Sequence, residues 1–136
     1  MSWDKRATTR RAGTPEPNRA TGMYIVYLGV AGEAASAGVS DGGSLQLGDA
    51  FRLLPGAAIT FGRSDLCEVT IQSDQLSRAH ALITFLPGDG TELALVDLRS
   101  RNGTWVRSND GPVHHVGPGA EFTLAKAFRF RCQPAG

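Results

Sequence analysis

Short apolar runs, separated by turn-forming residues, recur along most of the chain. No segment keeps the 3.6-residue apolar repeat of an amphipathic helix for three turns. Runs rich in β-branched and aromatic residues between Gly, Pro, Asn and Asp clusters are typical of strands. The pattern predicts strands at residues 23–28, 44–47, 49–54, 57–61, 68–71, 80–86, 92–98, 104–107, 113–116, 121–125 and 128–132. Many short strands with regular turns predict an all-β sandwich.

Two stretches lack this pattern. Residues 1–22 (MSWDKRATTRRAGTPEPNRATG) contain two prolines and no apolar periodicity, which predicts a flexible arm ahead of one domain at 23–136. Residues 29–43 (GVAGEAASAGVSDGG) are small and glycine-rich, which predicts a long loop. The segment LPGDGTEL, at 86–93, has the composition of a hairpin tip.

Charge is distributed unevenly between the arm and the remainder. The net charge is +1, and it divides into +3 for residues 1–22 and −2 for the rest of the chain. A basic arm on a mildly acidic body lacks the footprint of a nucleic-acid-binding domain, so nucleic acid is not an expected partner. The hydrophobic share of 41% and charged share of 20% are ordinary for a soluble protein.

Cysteine content and the N-terminal sequence bear on location. Cys67 and Cys132 are too few for a disulfide framework, so we expect reduced thiols. The first residues carry charges where a signal peptide needs an apolar core, and no apolar run is long enough for a membrane helix. These features predict a cytoplasmic protein without a membrane partner.

Polar residues are concentrated in three of the predicted turns. The turns carry Arg63 with Ser64 and Asp65, the sequence SRAH at 77–80, and RNG at 101–103. Arginine offers a fixed fork of donors that suits phosphate, a serine hydroxyl adds a small donor, and asparagine can hold a peptide backbone. If the strands before these turns run in the same direction, the three turns share one end of the sandwich. The pattern therefore predicts a phosphopeptide site.

These residues also match a known family. Gly-Arg at 62–63, Ser-Arg-Ala-His at 77–80 and DLRSRNGTWV at 97–106 resemble the forkhead-associated (FHA) domain in identity and in spacing. The resemblance covers about residues 45–132. It implies an all-β sandwich of about eleven mostly antiparallel strands that recognises phosphothreonine in extended peptides.

The resemblance also implies roles for individual residues. Arg63 and Ser77 are expected to contact the phosphate, with help from Arg78. Asn102 is expected to hydrogen-bond the peptide main chain. The remaining implied residues either border the peptide or support the loops: Arg101 on the rim, Gln75 at the reader position for the third residue after the phosphothreonine, and Gly62, His80, Gly103 and Thr104 as structural support. Arg107 stands where the family often has Asn, which affects only peptide selectivity and local packing.

The implied partners are a phosphothreonine-containing protein and, upstream, a Ser/Thr protein kinase in a signalling pathway. The arm carries threonines among its arginines. Family analogy therefore adds the hypothesis that the domain engages its own phosphorylated arm. The arm threonines are Thr8, Thr9, Thr14 and Thr21.

Other classes of function fit the residues less well. Ser77, His80 and Asp97 are the residue types of a hydrolase triad, but Ser77 and His80 share one tight loop without a nucleophile elbow. We therefore do not expect an enzyme. His114 and His115 are adjacent in a strand and would point to opposite faces, so neither a metal site nor a cofactor is expected. The alternative that stays open is a phosphate-independent interaction or scaffold domain that uses the sandwich face.

Overall fold

Alternation of buried and exposed side chains along short strands gives two stacked sheets. The structure is a computed structural model that describes residues 22–36, 45–88 and 91–134. A six-stranded sheet (sheet A) has the order β2-β1-β11-β10-β7-β8, and a five-stranded sheet (sheet B) has the order β4-β3-β5-β6-β9. Sheet A contains β1 (Met23–Val30), β2 (Ala50–Leu53), β7 (Thr104–Val106), β8 (Asn109–Asp110), β10 (Glu121–Leu124) and β11 (Phe128–Pro134). Sheet B contains β3 (Ala58–Gly62), β4 (Val69–Thr70), β5 (Ala81–Phe85), β6 (Leu93–Asp97) and β9 (Val113–Val116).

The core lies between the two sheets and is centred on aromatic side chains. Tyr27, Phe61, Phe122 and Phe130 are fully or almost fully buried, and their contacting ring pairs have centroids 5.2 to 5.7 Å apart. Phe61 comes from sheet B and the other three from sheet A, so the rings join the sheets. Such pairs add about 0.5–1.5 kcal/mol each beyond the burial of their area. This core fixes the strand ends from which the polar loops emerge.

Strand direction decides where those loops lie. β3 and β5 are antiparallel, and so are β5 and β6. The end of β3, the start of β5 and the end of β6 therefore lie at the same end of sheet B. The β3–β4, β4–β5 and β6–β7 loops all lie at this end, which confirms the prediction that the three polar turns share one end of the sandwich.

The all-β sandwich predicted from the sequence is confirmed, with three local corrections. The strand predicted at 44–47 is wrong, because the described part of this segment forms a turn at Leu47–Gly48 in which Leu47 is 75% exposed. The long loop predicted at 29–43 contains the end of β1 and a short helix, α1 (Gly32–Ser36). The turn predicted after Arg107 contains the two-residue strand β8, which pairs with β7.

Two further predictions concern residues that lie partly outside the described part of the chain. The β5–β6 hairpin is confirmed by its antiparallel register, while residues 89–90 of its tip lie outside the described part of the chain. The arm predicted at 1–22 also lies outside it, apart from Gly22. The division into an arm and a domain at 23–136 stays a prediction.

Candidate functional site

The β3–β4 and β4–β5 loops are hydrogen-bonded to each other along their backbones. The N–H of Arg63 donates to the carbonyl of Ser77 (3.0 Å), and the N–H of Ser64 donates to the carbonyl of Arg78 (3.1 Å). The side chain of Arg63 follows the same course, since its Nε donates to the carbonyl of Leu76 (3.2 Å). This contact orients the guanidinium over the β4–β5 loop. Its terminal nitrogens have no protein partner among the described residues.

Gly62 permits this close approach of the two loops. A Cβ atom built at Gly62 would lie 2.1 Å from the carbonyl oxygen of Arg78 and 2.9 Å from the Sγ of Cys67. Real side chains essentially never approach a backbone oxygen so closely. Any larger residue would therefore separate the loop that carries Arg63 from the loop that carries Ser77.

The buried side chain of His80 connects the β4–β5 loop to the β6–β7 loop. It is fully buried, and its Nδ1 accepts from the N–H of Ser77 (3.2 Å) while its Nε2 lies 2.8 Å from the carbonyl of Gly103. An Nδ1 that accepts must be unprotonated, so Nε2 carries the proton and donates to Gly103. Burial lowers the pKa of His80 below its ordinary value, although the Gly103 carbonyl and the charge of Asp97 act in the opposite direction. The imidazole is therefore neutral at neutral pH.

Asp97 fixes the β6–β7 loop at its base. Its carboxylate accepts from the Ser100 hydroxyl (2.5 Å), the Ser100 N–H (3.0 Å) and the Thr104 hydroxyl (2.7 Å). The pKa of Asp97 is lowered, because these hydrogen bonds and the nearby His80 outweigh its partial burial. The Ser100 Oγ in turn accepts from the N–H of Gly103 (2.9 Å). The carboxylate thus holds the turn that presents Arg101 and Asn102.

Arg101 and Asn102 add three hydrogen bonds between the β6–β7 loop and the β4–β5 loop. The N–H of Arg101 donates to the Oγ of Ser77 (3.0 Å), and its Nη2 donates to the carbonyl of Asp74 (3.2 Å). The Nδ2 of Asn102 donates to the carbonyl of Gln75 (2.8 Å). Ser77 therefore keeps its hydroxyl hydrogen for a ligand, and Asn102 keeps its side-chain oxygen.

The structure thus brings the sequence-predicted residues together at one end of the sandwich. Arg63, Ser77 and Asn102 are connected through direct contacts between their loops. Arg78 is exposed, and its side chain has no partner among the described residues, while its carbonyl serves Ser64 and the Sγ of Cys67 (3.3 Å). Gln75 contributes its carbonyl to the site.

Three contributors were missed as site residues. The sequence suggests Asp97 only as a triad member and Trp105 only as a core or strand-surface residue, and it gives Ser100 no role. An Asp followed by Ser three residues later is a signal for a side-chain turn, because Asp commonly accepts from nearby backbone N–H groups. The indole Nε1 of Trp105 donates to the carbonyl of Asn102 (3.1 Å). No sequence signal announces that contact.

The arrangement can bind a compact anion beside an extended chain. Guanidinium, hydroxyl and amide donors converge, and none of them is a nucleophile next to a free base, since His80 uses both nitrogens within the fold. Asp65 and Asp74 are exposed in the same loops, so selectivity for an anion would depend on placed donors more than on overall charge. Within the described residues, no three metal-ligating side chains come together. Of the helices in the same part of the chain, none is long and apolar enough to cross a membrane.

Several solved structures of FHA domains have a similar architecture. An FHA domain described in a study of phosphothreonine-dependent FHA domain interactions has a TM-score of 0.60 and 22% identity, covering 85% of this chain and 99% of that one. The FHA domain of an Arabidopsis thaliana hypothetical protein has a TM-score of 0.65 and 20% identity, covering 92% and 96%. EmbR of Mycobacterium tuberculosis, in complex with a low-affinity phosphopeptide, has a TM-score of 0.57 and 24% identity, covering 85% of this chain and 26% of EmbR.

The family model of the FHA domain matches residues 59–125, which include all three polar loops. The chain therefore belongs to the FHA domain family, as the sequence motifs predicted. A comparison with curated proteins gave no match.

Proposed function

We propose that this chain is a phosphothreonine-dependent recognition module without enzymatic activity. Arg63, Ser77 and Arg78 bind the phosphate of a partner, and Asn102 holds the partner's main chain. Arg101 and Gln75 border the peptide. A Ser/Thr kinase acts upstream by creating the phosphothreonine, which places the module in signal transduction. The cytoplasmic location inferred from the sequence stays a prediction.

The observation that carries this proposal is that hydrogen bonds join the three loops to one another and still leave polar side-chain atoms available to a ligand. Arg63, Ser77 and Asn102 are each held by contacts to another loop. Each still has polar atoms available, so a ligand would meet hydrogen-bonding groups whose positions are already fixed. Preorganised donors lose less entropy on binding. Charge-assisted hydrogen bonds contribute about 1.5–3 kcal/mol each, enough for a few of them to separate a phosphate from a hydroxyl.

An oriented phosphothreonine-peptide library, followed by calorimetry on the selected peptide, tests the proposal. The phosphorylated peptide should bind at least about 100-fold more tightly than the same peptide with unmodified threonine, the difference expected from two charge-assisted hydrogen bonds. Affinity should also fall as salt is raised, since exposed charges are screened. Equal affinity for both peptides contradicts the proposal.

Equal affinity would favour the phosphate-independent alternative. The structure offers it a surface, because Leu82, Val96 and Val113 are aligned across the outer face of β5, β6 and β9, and Val113 is 51% exposed. A partner that binds this face should lose affinity on Val113→Asp and keep it on Arg63→Ala. A phosphopeptide partner should show the opposite pattern.

We further propose, by analogy with the family, that a phosphorylated threonine of residues 1–22 is one ligand of this site. The support is compositional, since the arm places threonines among basic residues and Thr14 precedes Pro15. Synthetic arm peptides phosphorylated singly at each threonine provide the test. At least one should compete with the library-selected peptide for the domain, and failure of all of them contradicts self-engagement alone.

A further inference from the structure

Asn102 and Gly103 form a backbone corner whose outer side is open. A cleft of about 390 Å³ borders this corner and is lined in part by Arg101, Trp105 and Lys126. Close packing therefore does not hold the corner on that side. Its position depends on separate hydrogen bonds to its two carbonyls.

Three donors converge on those carbonyls. The indole Nε1 of Trp105 donates to the carbonyl of Asn102 (3.1 Å). The carbonyl of Gly103 accepts from the N–H of Ala125 (2.9 Å) and from the Nε2 of His80 (2.8 Å). His80 belongs to the recognition loops, the name used here for the β3–β4, β4–β5 and β6–β7 loops. Trp105, by contrast, lies on β7, and Ala125 lies in the β10–β11 turn. The corner is thus held from sheet A as well as from the loops.

The β10–β11 turn is built for this contact against its local preference. Ala125 and Lys126 have φ values of 57° and 56°, and the N–H of Ala127 donates to the carbonyl of Leu124 (2.9 Å). These are the features of a two-residue turn in which Asn and Gly are the favoured residues. In this conformation the Nζ of Lys126 lies 4.2 Å from the centroid of the Trp105 ring. The turn therefore braces the ring that braces Asn102.

Gly103 makes room for the indole. Its φ is 86°, and a Cβ built there would lie 2.7 Å from the Nε1 of Trp105. A side chain at this position would displace the indole N–H from the carbonyl of Asn102. The glycine thus serves the indole contact in addition to the turn.

We propose that Trp105, steadied by Lys126, is a positioning residue for Asn102. Its indole N–H fixes the carbonyl of Asn102 while the Nδ2 of Asn102 donates to Gln75, which aims the free side-chain oxygen at the main chain of a bound peptide. The inference rests on the proposed phosphopeptide function. It assigns part of the peptide affinity to sheet A, outside the three recognition loops.

A double-mutant cycle on the full chain tests this role. Trp105→Phe keeps an aromatic ring beneath Lys126 and removes the indole N–H. It should weaken binding of the library-selected phosphothreonine peptide about 3- to 10-fold, the loss expected for one neutral hydrogen bond. In an Asn102→Ala background the same change should weaken binding less than about 2-fold, because no side chain is left to position. Lys126→Met should weaken peptide binding by a smaller factor, about 2-fold, because it removes the cation that holds the Trp105 ring in place.

The controls separate this inference from the function on which it depends. Tyr24→Phe is the matched control: it keeps an aromatic ring near a cation, since the guanidinium carbon of Arg52 lies 5.8 Å from the ring centroid, and removes one polar hydrogen on β1, so it should leave affinity unchanged. Unfolding midpoints and amide NMR spectra of each variant show whether the fold is kept. If wild type does not prefer the phosphorylated peptide, the proposed function fails. If wild type prefers it, but Trp105→Phe has no effect or costs the same with and without the Asn102 side chain, the positioning role alone is overturned.

Discussion

Two pairs of arginines, one in the recognition loops and one on sheet A, differ in their partners, and the contrast between them shows what makes an anion site. Arg129 and Arg131 alternate on the outer face of β11, and both contact the carboxylate of Glu121, at 3.5 and 3.1 Å. Arg63 and Arg101, in the recognition loops, instead donate to backbone carbonyls of the β4–β5 loop, at 3.2 Å each. The recognition loops also carry Arg78 and Arg99, so the contrast concerns the partners of these two pairs and not the number of arginines.

The difference lies in what the contact does to the charge. The Glu121 carboxylate offsets part of the charge of the two guanidiniums that share it, whereas a backbone carbonyl orients a guanidinium and leaves its full charge available. Oriented and uncancelled donors are also what a phosphate requires. The contrast therefore supports the proposed anion site in the loops and indicates a local pairing role for the arginines on sheet A.

The largest expected effect comes from removing one arginine from each region. Arg63→Ala should weaken phosphothreonine-peptide binding at least about 100-fold, because a fixed charge-assisted donor pair is lost. Arg129→Ala is the matched control and should change affinity less than about 2-fold, since the exposed pair it breaks contributes little. Isothermal titration calorimetry measures both, with near-ultraviolet circular dichroism as the check on folding. A comparable loss in the two variants would remove the distinction between the regions.

Loop geometry gives the next largest effect. Gly62→Ala should lower the free energy of unfolding by about 2–3 kcal/mol, because its Cβ meets the backbone of the neighbouring loop. Gly32→Ala, in α1, should not lower it and could raise it by up to about 1 kcal/mol, since nothing lies within 4 Å of that Cβ and Ala is favoured over Gly in a helix. Urea unfolding monitored by fluorescence checks both. A Gly62→Ala protein as stable as wild type would show that the loops separate without cost.

Protonation of His80 should loosen the same loops. Its pKa is lowered by burial, so the folded protein binds this proton less readily than the unfolded chain, whose histidine titrates near about 6.5. The stabilisation is fully present above that pH and is lost as the pH falls below it. We therefore expect the unfolding free energy to fall as the pH is lowered from neutral through about 6.5. NMR titration of the ring checks the cause, and a midpoint at or above about 6.5 contradicts it.

Residue identity and spacing were enough to predict the sandwich and the end of it that carries the polar loops. Arg63, Ser77 and Asn102 could be singled out because each stands in a short motif at the end of a predicted strand. The β-branched and aromatic runs also gave most strand positions. The strand prediction at 44–47 is wrong. Its alternating leucines are typical of a strand, but Gly48 adopts a φ of 89°, which ends the extended run.

Contacts between segments that are distant along the chain could not be predicted from the sequence. The indole of Trp105 bonds a residue three positions earlier, but Lys126, which lies over it, comes from a turn about twenty residues further on. The residues of that turn favour other conformations, so their local preference does not predict the turn. Tertiary contacts offset the cost of this conformation, and these contacts are visible only in the folded chain.

The smallest effect provides the sharpest check on the contrast between the two arginine regions. Glu121→Gln releases Arg129 and Arg131 from their carboxylate without removing either cation. The side chains of all three are 40–44% exposed, so the unfolding free energy should change by no more than about 0.5 kcal/mol. Phosphothreonine-peptide affinity should stay within about 2-fold of wild type, as weak screened charges at the surface allow. A gain of 10-fold or more would show that uncancelled arginines on a strand can bind the phosphate unaided, and the cross-braced loops would then not be what defines the site.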